Sequence, residues 1–178
     1  LLINGENKSH QVKILSEQLV NFSKSSDPKK EIISDLETLI KEVVSFASKG
    51  RSIIPKIIIP SNLDSIEADK TQISQIIQNL ILNAYQAIKY PGSVIIKAEN
   101  YEITGENKLF NLKNGNYVKL SIIDTGPGIP MNVLKKLFEP FITTKTTGNG
   151  LGLTTSKRIA IKHGGDLVLS STGSQGTH

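Results

Sequence analysis

Cysteine and tryptophan are both absent from this chain of 178 residues. Without cysteine the chain can form no disulfide, no thiolate zinc site and no catalytic thiol. Aromatic residues make up only 5% of the chain whereas hydrophobic residues reach 38%. The core must therefore be built mainly from Ile, Leu and Val, and the length favours one domain with some additional chain.

Long apolar runs and clustered basic runs are also missing. No apolar run approaches the roughly 20 residues that span a bilayer, and no secretory signal is visible. The formal net charge is +5, but the lysines are scattered and not interleaved with aromatics. This pattern favours anionic ligands such as nucleotides and gives no indication of nucleic-acid binding. A nucleotide site favours the cytosol, and a membrane anchor outside this stretch stays open.

Hydrophobic spacing and breaker residues predict an α+β chain. The predicted helices are residues 9–24, Leu36–Ser48, Lys70–Lys89 (capped by Asp69), Asn132–Phe138 and Leu151–Lys162 (ended by Gly164-Gly165). The predicted strands are Ile53–Ile59, Val94–Tyr101, Tyr117–Ile123 and Asp166–Ser171. Pro55 suggests that the first of these strands lies at a sheet edge.

The long helix carries two distinct stripes. One is apolar and contains Ile73, Ile77, Leu80, Ala84 and Ile88. The other contains only amide side chains: Gln72, Gln75, Asn79, Asn83 and Gln86. A solvated face is one interpretation, but such faces normally carry charges and strong helix formers, and Asn is a poor helix former. Two Asn residues one turn apart favour a site, because amide oxygens can bind Mg²⁺ weakly while phosphates supply further ligands.

Two glycine-bearing loops flank the short helix and the segment after it. The first reads Asp124-Thr-Gly126-Pro-Gly128, and the second reads Gly148-Asn-Gly150-Leu-Gly152. Glycines at this spacing let the backbone approach a ligand, and a helix that opens after such a loop offers unpaired N–H groups to an anion. By strand alternation Asp124 points inward. It is either a turn residue that binds the Gly126 N–H or an acceptor for the exocyclic amine of adenine, with Gly128 letting the ring lie close.

Other glycine and histidine motifs are excluded. A dinucleotide fingerprint needs a small residue where Met131 and Leu153 stand, so both loops fail it. No phosphate-binding loop ending in Gly-Lys-Ser/Thr occurs, and His10, His163 and His178 form no metal-binding pattern. His163 is interpreted as a helix C-terminal residue.

Taken together, the motifs resemble the ATP-binding catalytic domain of sensor histidine kinases, in the GHKL superfamily and its nitrogen-regulator-like branch. Gln75-Ile-Ile-Gln-Asn79-Leu-Ile-Leu-Asn83-Ala84 is similar to the asparagine box, and the two glycine loops are similar to the two glycine boxes. Leu137-Phe138-Glu-Pro-Phe141-Ile-Thr-Thr144-Lys145 is similar to the phenylalanine box. The resemblance covers about Leu36 to the end of the chain, with the motifs in the family's order.

The resemblance implies a Bergerat-type two-layer α/β sandwich, a mixed sheet with helices on one face. It implies that Asn83 binds Mg²⁺, that Asn79 lies beside the phosphates of ATP and that Asp124 reads adenine. Phe138 and Phe141 would anchor a lid, although plain core packing is the other interpretation of both. Asn79 and Lys145 are the implied catalytic residues. The complete implied nucleotide site is Asn79, Asn83, Asp124, Gly126, Gly128, Phe138, Phe141, Thr144, Lys145, Gly148, Gly150, Leu151, Gly152 and Thr177.

The histidine box of the resembling family is not found, because His10 is followed by Gln11 where an acid is expected. We expect residues 1–28 to be the remnant of a dimerisation and phosphoacceptor hairpin with its linker. Residues 29–178 would be the ATP-binding domain, shortened before its last strand. The implied partners are ATP, the histidine-containing hairpin of the same kinase and a response regulator receiver domain, with a homodimer for the full-length protein.

Two other functions stay open from the residues. One is an ATPase clamp of the same superfamily, but Asn79 occupies the position at which those enzymes carry a Glu base. The other is a serine kinase of the anti-sigma type, against which the helical stretch around Val12–Phe22 argues.

Overall fold

The computed structural model describes residues 27–88, 91–105, 112–143, 149–173 and 176–178. The predicted helix at residues 9–24 lies outside the described residues. So do three residues of the predicted nucleotide site, namely Thr144, Lys145 and Gly148.

The described residues contain four α-helices. They are α1 (Leu36–Ala47), α2 (Lys70–Ala87), α3 (Met131–Leu134) and α4 (Gly152–Lys162). The predicted helix Asn132–Phe138 is therefore too long, because the chain after Leu134 continues in tighter turns such as Leu137 N–H to Leu134 O. No helix in the described ranges combines the length and apolarity needed to cross a bilayer.

Seven strands form two sheets within the described residues. The strands are β1 (Glu31–Ile33), β2 (Lys56–Ile58), β3 (Ile66–Ala68), β4 (Val94–Ile103), β5 (Gly115–Asp124), β6 (Thr172–Gly173) and β7 (Gly176–Thr177). The larger sheet has the order β2-β4-β5-β7-β6, and β1 pairs with β3 in a small antiparallel sheet. Only the β2–β4 pair of the larger sheet is parallel, so this sheet is mixed, with β2 at its edge as Pro55 suggested.

The predicted strand Asp166–Ser171 is wrong, since none of these residues is in a strand. The Asp166 carboxylate binds the Lys157 ammonium of α4 and also accepts the backbone N–H of Leu167 at 2.8 Å. A side chain that bonds the next backbone amide competes with the pairing of an extended strand. The hairpin of β6 and β7 follows instead.

One core joins α1 and α2 to the larger sheet. Its most deeply buried side chains include Ile40 of α1, Ile77 and Ile81 of α2, and Ile96 of β4, each at most 1% exposed. The predicted apolar stripe of α2 contained Ile77 and Ala84 but missed Ile81 and Tyr85, which are also buried. The observed arrangement confirms the predicted α+β sandwich of a mixed sheet and helices.

Asp69 fixes the start of α2. Its Oδ1 accepts the N–H groups of Thr71 and Gln72, each at 3.0 Å, and its Oδ2 accepts the N–H of Lys29 at 3.0 Å. Partial burial alone would raise the pKa of Asp69, but these three N–H groups outweigh it and hold the pKa below its ordinary value of 3.8. The ionised carboxylate is therefore the form that stabilises the fold.

We expect Asp69→Ala to lower the free energy of unfolding by about 1 kcal/mol at neutral pH, because the helix cap is lost. Because the folded-state pKa is lowered, the charge-dependent part is fully present above the ordinary pKa and is lost as pH falls through the lowered value. Asp69→Asn is the matched control, since it keeps a capping oxygen and cannot titrate. Between pH 7 and pH 3, urea unfolding should show that Asp69→Asn loses less free energy of unfolding than the natural chain does. Equal losses in the two proteins would contradict the assignment.

Candidate nucleotide site

Three short side chains follow one another along one face of α2. Asn79, Asn83 and Ala87 follow one another at intervals of four residues, so they form one stripe along the helix. Both Asn side chains are half-buried. From Asn79 to Ala87 this stripe, here called the asparagine stripe, extends for about 12 Å.

The start of α4 lies against the first end of the asparagine stripe. The Asn79 Nδ2 donates to the Gly152 carbonyl at 3.5 Å and to the Ser156 hydroxyl at 3.4 Å. A Cβ placed on Gly152 would lie 3.9 Å from Asn79 Cγ and 4.0 Å from Asn83 Nδ2. The second glycine loop therefore meets both predicted asparagines, and Ser156, which is fully buried, is a contact that the sequence analysis missed.

The N-terminus of α4 can receive an anion. Its N-cap is Leu151, whose apolar side chain cannot accept the first helical N–H groups. The Leu151 N–H itself donates to Asn149 Oδ1 at 3.2 Å, which shapes the loop just ahead of the helix. A helix end of this kind, with Gly152 as its first residue, presents backbone N–H groups and the positive end of the helix dipole.

The first glycine loop lies at the other end of the asparagine stripe. Asp124 is only 7% exposed, and its Oδ1 accepts the Gly126 N–H at 2.8 Å. A Cβ on Gly126 would lie 2.8 Å from that carboxylate oxygen and 3.0 Å from the Cβ of Ala87. Glycine at this position thus lets the carboxylate and the end of α2 come together.

The hydrogen bond from the Gly126 N–H to Asp124 is thus present, as the turn interpretation of Asp124 predicted. A carboxylate has about four acceptor sites, so the bond to Gly126 is compatible with a further donor such as an exocyclic amine. Thr177 of β7 is the pairing partner of Asp124 in the sheet, which places this predicted residue beside the carboxylate.

Gly128 has a close neighbour that the sequence did not indicate. Its φ is +78°, and a Cβ there would lie 2.3 Å from the Gly173 carbonyl oxygen of β6. The next residue, Ile129, donates its N–H to the Thr172 hydroxyl at 2.7 Å. In this structure the backbone that approaches Gly128 is that of the β6 hairpin.

Phe138 and Phe141 have different environments. Phe138 is half-buried, with the Lys157 Nζ 5.1 Å from its ring centroid. Lys157 also binds Asp166 and donates to the Leu167 carbonyl at 2.7 Å, so it connects α4 to the phenylalanine box. The sequence analysis missed Lys157, because its partners are distant in sequence and lysines are usually solvated.

Phe141 is 54% exposed and has a φ of +66°, so plain core packing does not describe it. Its N–H donates to the Gly150 carbonyl at 3.2 Å. A Cβ on Gly150, whose φ is +67°, would lie 2.5 Å from the Phe141 carbonyl carbon. The phenylalanine box and the second glycine loop are therefore in direct backbone contact.

The donor set of this site fits Mg²⁺ held together with phosphates. Asn83 offers a neutral oxygen ligand beside the α4 N-terminus, and Mg²⁺ prefers oxygen ligands and commonly completes its shell with phosphate and water. Among the described residues, no group of three or more His, Asp or Glu side chains could hold a metal by itself.

A separate depression of about 520 Å³ lies near the ends of α1 and α2, lined by Gly50, Arg51, Ser52, Ile53, Tyr85 and Ile88. It contains neither Asn79, Asn83 nor Asp124. The Tyr85 hydroxyl there bonds the Ser48 hydroxyl at 2.7 Å, which ties α1 to α2. Its residues differ from those of the predicted site, so we assign no nucleotide to it.

Residues 68–178 match the family described as histidine kinase-, DNA gyrase B- and HSP90-like ATPase. The chain belongs to this family, and ATP is the nucleotide that the family description implies. This confirms the resemblance that the boxes indicated.

Among curated proteins, the sensor kinase CckA of Brucella abortus is 32% identical over 186 residues, covering 99% of this chain. The sensor histidine kinase ZraS of Escherichia coli strain K12 is 34% identical over 146 residues, covering 80% of this chain. The chain spans only 19% and 29% of these relatives. Among solved structures, the catalytic domain of the histidine kinase ThkA superposes with a TM-score of 0.63 at 32% identity, covering 84% of this chain and 91% of that chain.

Gly150→Ala should disrupt the contact between the second glycine loop and the phenylalanine box. The new Cβ would overlap the backbone of Phe141 and Ile142, and φ would be unfavourable, so we expect a loss of about 2–5 kcal/mol in unfolding free energy and weaker nucleotide binding. Gly50→Ala is the matched control, because Gly50 has a φ of +72° with nothing within 4 Å. That variant should lose only about 1–2 kcal/mol and keep its nucleotide affinity. Equal effects of both variants, measured by urea unfolding and calorimetry, would contradict the assignment.

Proposed function

We propose that this chain is the ATP-binding catalytic domain of a two-component sensor histidine kinase. In this function the domain presents Mg-ATP for phosphoryl transfer to a His on a separate helical hairpin. The observation that carries the proposal is that both glycine loops meet the asparagine stripe, one at each end, with Gly152 beside Asn79 and Asn83 and Gly126 beside Ala87.

In the proposed site, Asp124 accepts the exocyclic amine of adenine, which explains why a buried carboxylate stands at the end of β5. Gly126 and Thr177 flank Asp124. Gly128 lets the backbone of the first glycine loop come close to that of the β6 hairpin. At the other end, the α4 N-terminus with Leu151 and Gly152 receives the phosphates. This arrangement fixes the base at one end of the asparagine stripe and the reacting phosphate near the other.

Asn83 would hold Mg²⁺ through its side-chain oxygen, and the bound ion would neutralise charge on the phosphates. Asn79 lies beside them and is held by Gly152 and Ser156. Phosphoryl transfer depends mainly on positioning and on charge stabilisation, which these residues would supply. Phe138 and Phe141 would anchor the lid, which would also contain Thr144, Lys145, Gly148 and Gly150, and Lys145 would approach the terminal phosphate.

The ATPase clamp is the weaker alternative for this chain. A hydrolase needs a base that can take a proton from water. In this chain the residue one turn before the proposed metal ligand Asn83 is Asn79. Its amide donates to the Gly152 carbonyl and the Ser156 hydroxyl and has no basic site. We therefore expect very slow hydrolysis of ATP by this chain alone.

The proposed organisation assigns residues 1–28 to the dimerisation hairpin and its linker and residues 29–178 to the catalytic domain. The proposed partners are the histidine hairpin of the same kinase and a response regulator. The kinase ThkA, whose catalytic domain superposes on this chain, has also been solved in complex with the response regulator protein TrrA. The full-length protein would be a homodimer, and the domain would face the cytosol.

Variants at the two ends of the asparagine stripe should lose different parts of nucleotide binding. Asp124→Asn keeps an acceptor for Gly126 but adds a donor toward the adenine amine, so ATP affinity should fall about tenfold or more and the preference for ATP over GTP should shrink. Asn83→Ala should abolish most of the gain in affinity that Mg²⁺ gives while leaving metal-free binding nearly unchanged. Calorimetry with and without Mg²⁺ measures both, with Ser74→Ala on the same helix as the control. Loss of the same binding component in both variants would contradict the division of roles.

The acceptor is tested by transfer in trans. The chain is incubated with labelled Mg-ATP and a hairpin that carries the family's histidine box, and we expect an acid-labile phosphoryl group on that hairpin. A hairpin with its His changed to Gln should stay unlabelled. ATP binding without labelling, or rapid release of phosphate to water, would contradict the kinase function.

A further inference from the structure

His163 ends α4 and contacts the start of α2. Its Nε2 accepts the backbone N–H of Asp69 at 3.0 Å, and its Nδ1 lies 2.8 Å from the carbonyl oxygen of Ile159. Asp69 is the N-cap of α2, and His163 is the C-cap of α4. A single imidazole therefore joins the ends of the two helices that carry the proposed nucleotide site.

The two partners of His163 determine its protonation state. A carbonyl oxygen can only accept, so Nδ1 must carry the hydrogen that faces Ile159. A backbone N–H can only donate, so Nε2 must be unprotonated where it faces Asp69. The contact thus requires the neutral imidazole in the Nδ1–H tautomer.

The contact of His163 is one polar link between α2 and α4. Another is the pair of contacts that Asn79 makes with Gly152 and Ser156 at 3.5 and 3.4 Å. Asp69 and Asn79 are about 15 Å apart along α2, and Gly152 and His163 are about 16 Å apart along α4. The links therefore hold the two helices at opposite ends of one interface, and the shorter bond is the one at His163.

We propose that His163 is a positioning residue, which sets the placement of α4 against α2 and hence of Gly152 against Asn83. This inference rests on the proposed function, since it concerns the affinity of the same site for nucleotide. When the link is absent, this end of the interface can shift, and the α4 N-terminus no longer keeps its place beside the two asparagines. The side chain touches no substrate and acts only through the helix.

Three substitutions separate the acceptor at Nε2 from the rest of the ring. In His163→Gln the amide oxygen can reach the place of Nε2, whereas His163→Asn can replace only the group at Nδ1, and His163→Leu replaces neither. We expect binding of a non-hydrolysable ATP analogue with Mg²⁺ to weaken about threefold to tenfold in the Asn and Leu variants, with the Gln variant close to the natural chain. Ser48→Ala is the control, because it removes the hydroxyl bond to Tyr85 that links α1 to α2 and should lower stability without changing affinity.

Two spectroscopic measurements distinguish positioning from a general loss of stability. Nitrogen NMR of the natural chain at neutral pH should show His163 as the Nδ1–H tautomer. The side-chain amide resonance of Asn79, which lies at the other end of the interface, should shift in His163→Leu and stay in place in His163→Gln. These readouts do not depend on turnover.

The outcomes distinguish this inference from the proposed function. Absence of nucleotide binding by the natural chain would overturn the proposed function. Binding by the natural chain with equal affinity in folded Gln, Asn and Leu variants would overturn only the role of His163. The Nε2–H tautomer or a charged ring at neutral pH would also overturn it, even if the Leu variant failed to fold.

Discussion

The structure depends on the close approach of two loop backbones to one helix face. Along α2, Asn79, Asn83 and Ala87 present short side chains. The two loops contact this face through Gly152 and Gly126. Larger side chains on either side would separate the elements and break the alignment of the proposed adenine and phosphate regions. On the opposite face of α2, Ile77 and Ile81 are almost completely buried, and this packing holds the helix on the sheet. The helix is thus fixed on one side and accessible to two loops on the other.

The described residues of the proposed phosphate region are mostly uncharged, and they supply amides, a hydroxyl and helix N–H groups. Asp124 is a buried charge at the proposed adenine region, and the Gly126 N–H offsets part of its desolvation. Neutral donors bind an anionic ligand without repelling the metal ion that accompanies it. This division agrees with the proposed function, in which the domain holds Mg-ATP while its phosphoryl group is transferred to another module.

Much of the fold and of the site follows from local patterns in the sequence. The Asp69 cap and the Gly164 stop are local signals, and each predicted a helix end that the structure contains. The site predicted from the amide stripe of α2 stays a prediction. The failures concern contacts between distant residues. Asp166, the first residue of the wrongly predicted strand Asp166–Ser171, pairs with Lys157, and the neighbour of Gly128 is Gly173. The contacts of Ser156 and His163 also depend on how α2 and α4 pack together, which the hydrophobic spacing in the sequence does not predict.

The hydrogen bond from the Phe141 N–H to the Gly150 carbonyl has a further consequence for variation among relatives. It fixes the two ends of the intervening segment side by side, whatever number of residues joins them. Closing a longer loop between fixed ends costs only about 0.6 kcal/mol for each doubling of its length. Insertions or deletions between these two positions can therefore accumulate with little effect on the rest of the domain. The length of this segment can thus change while the fold that carries it stays the same.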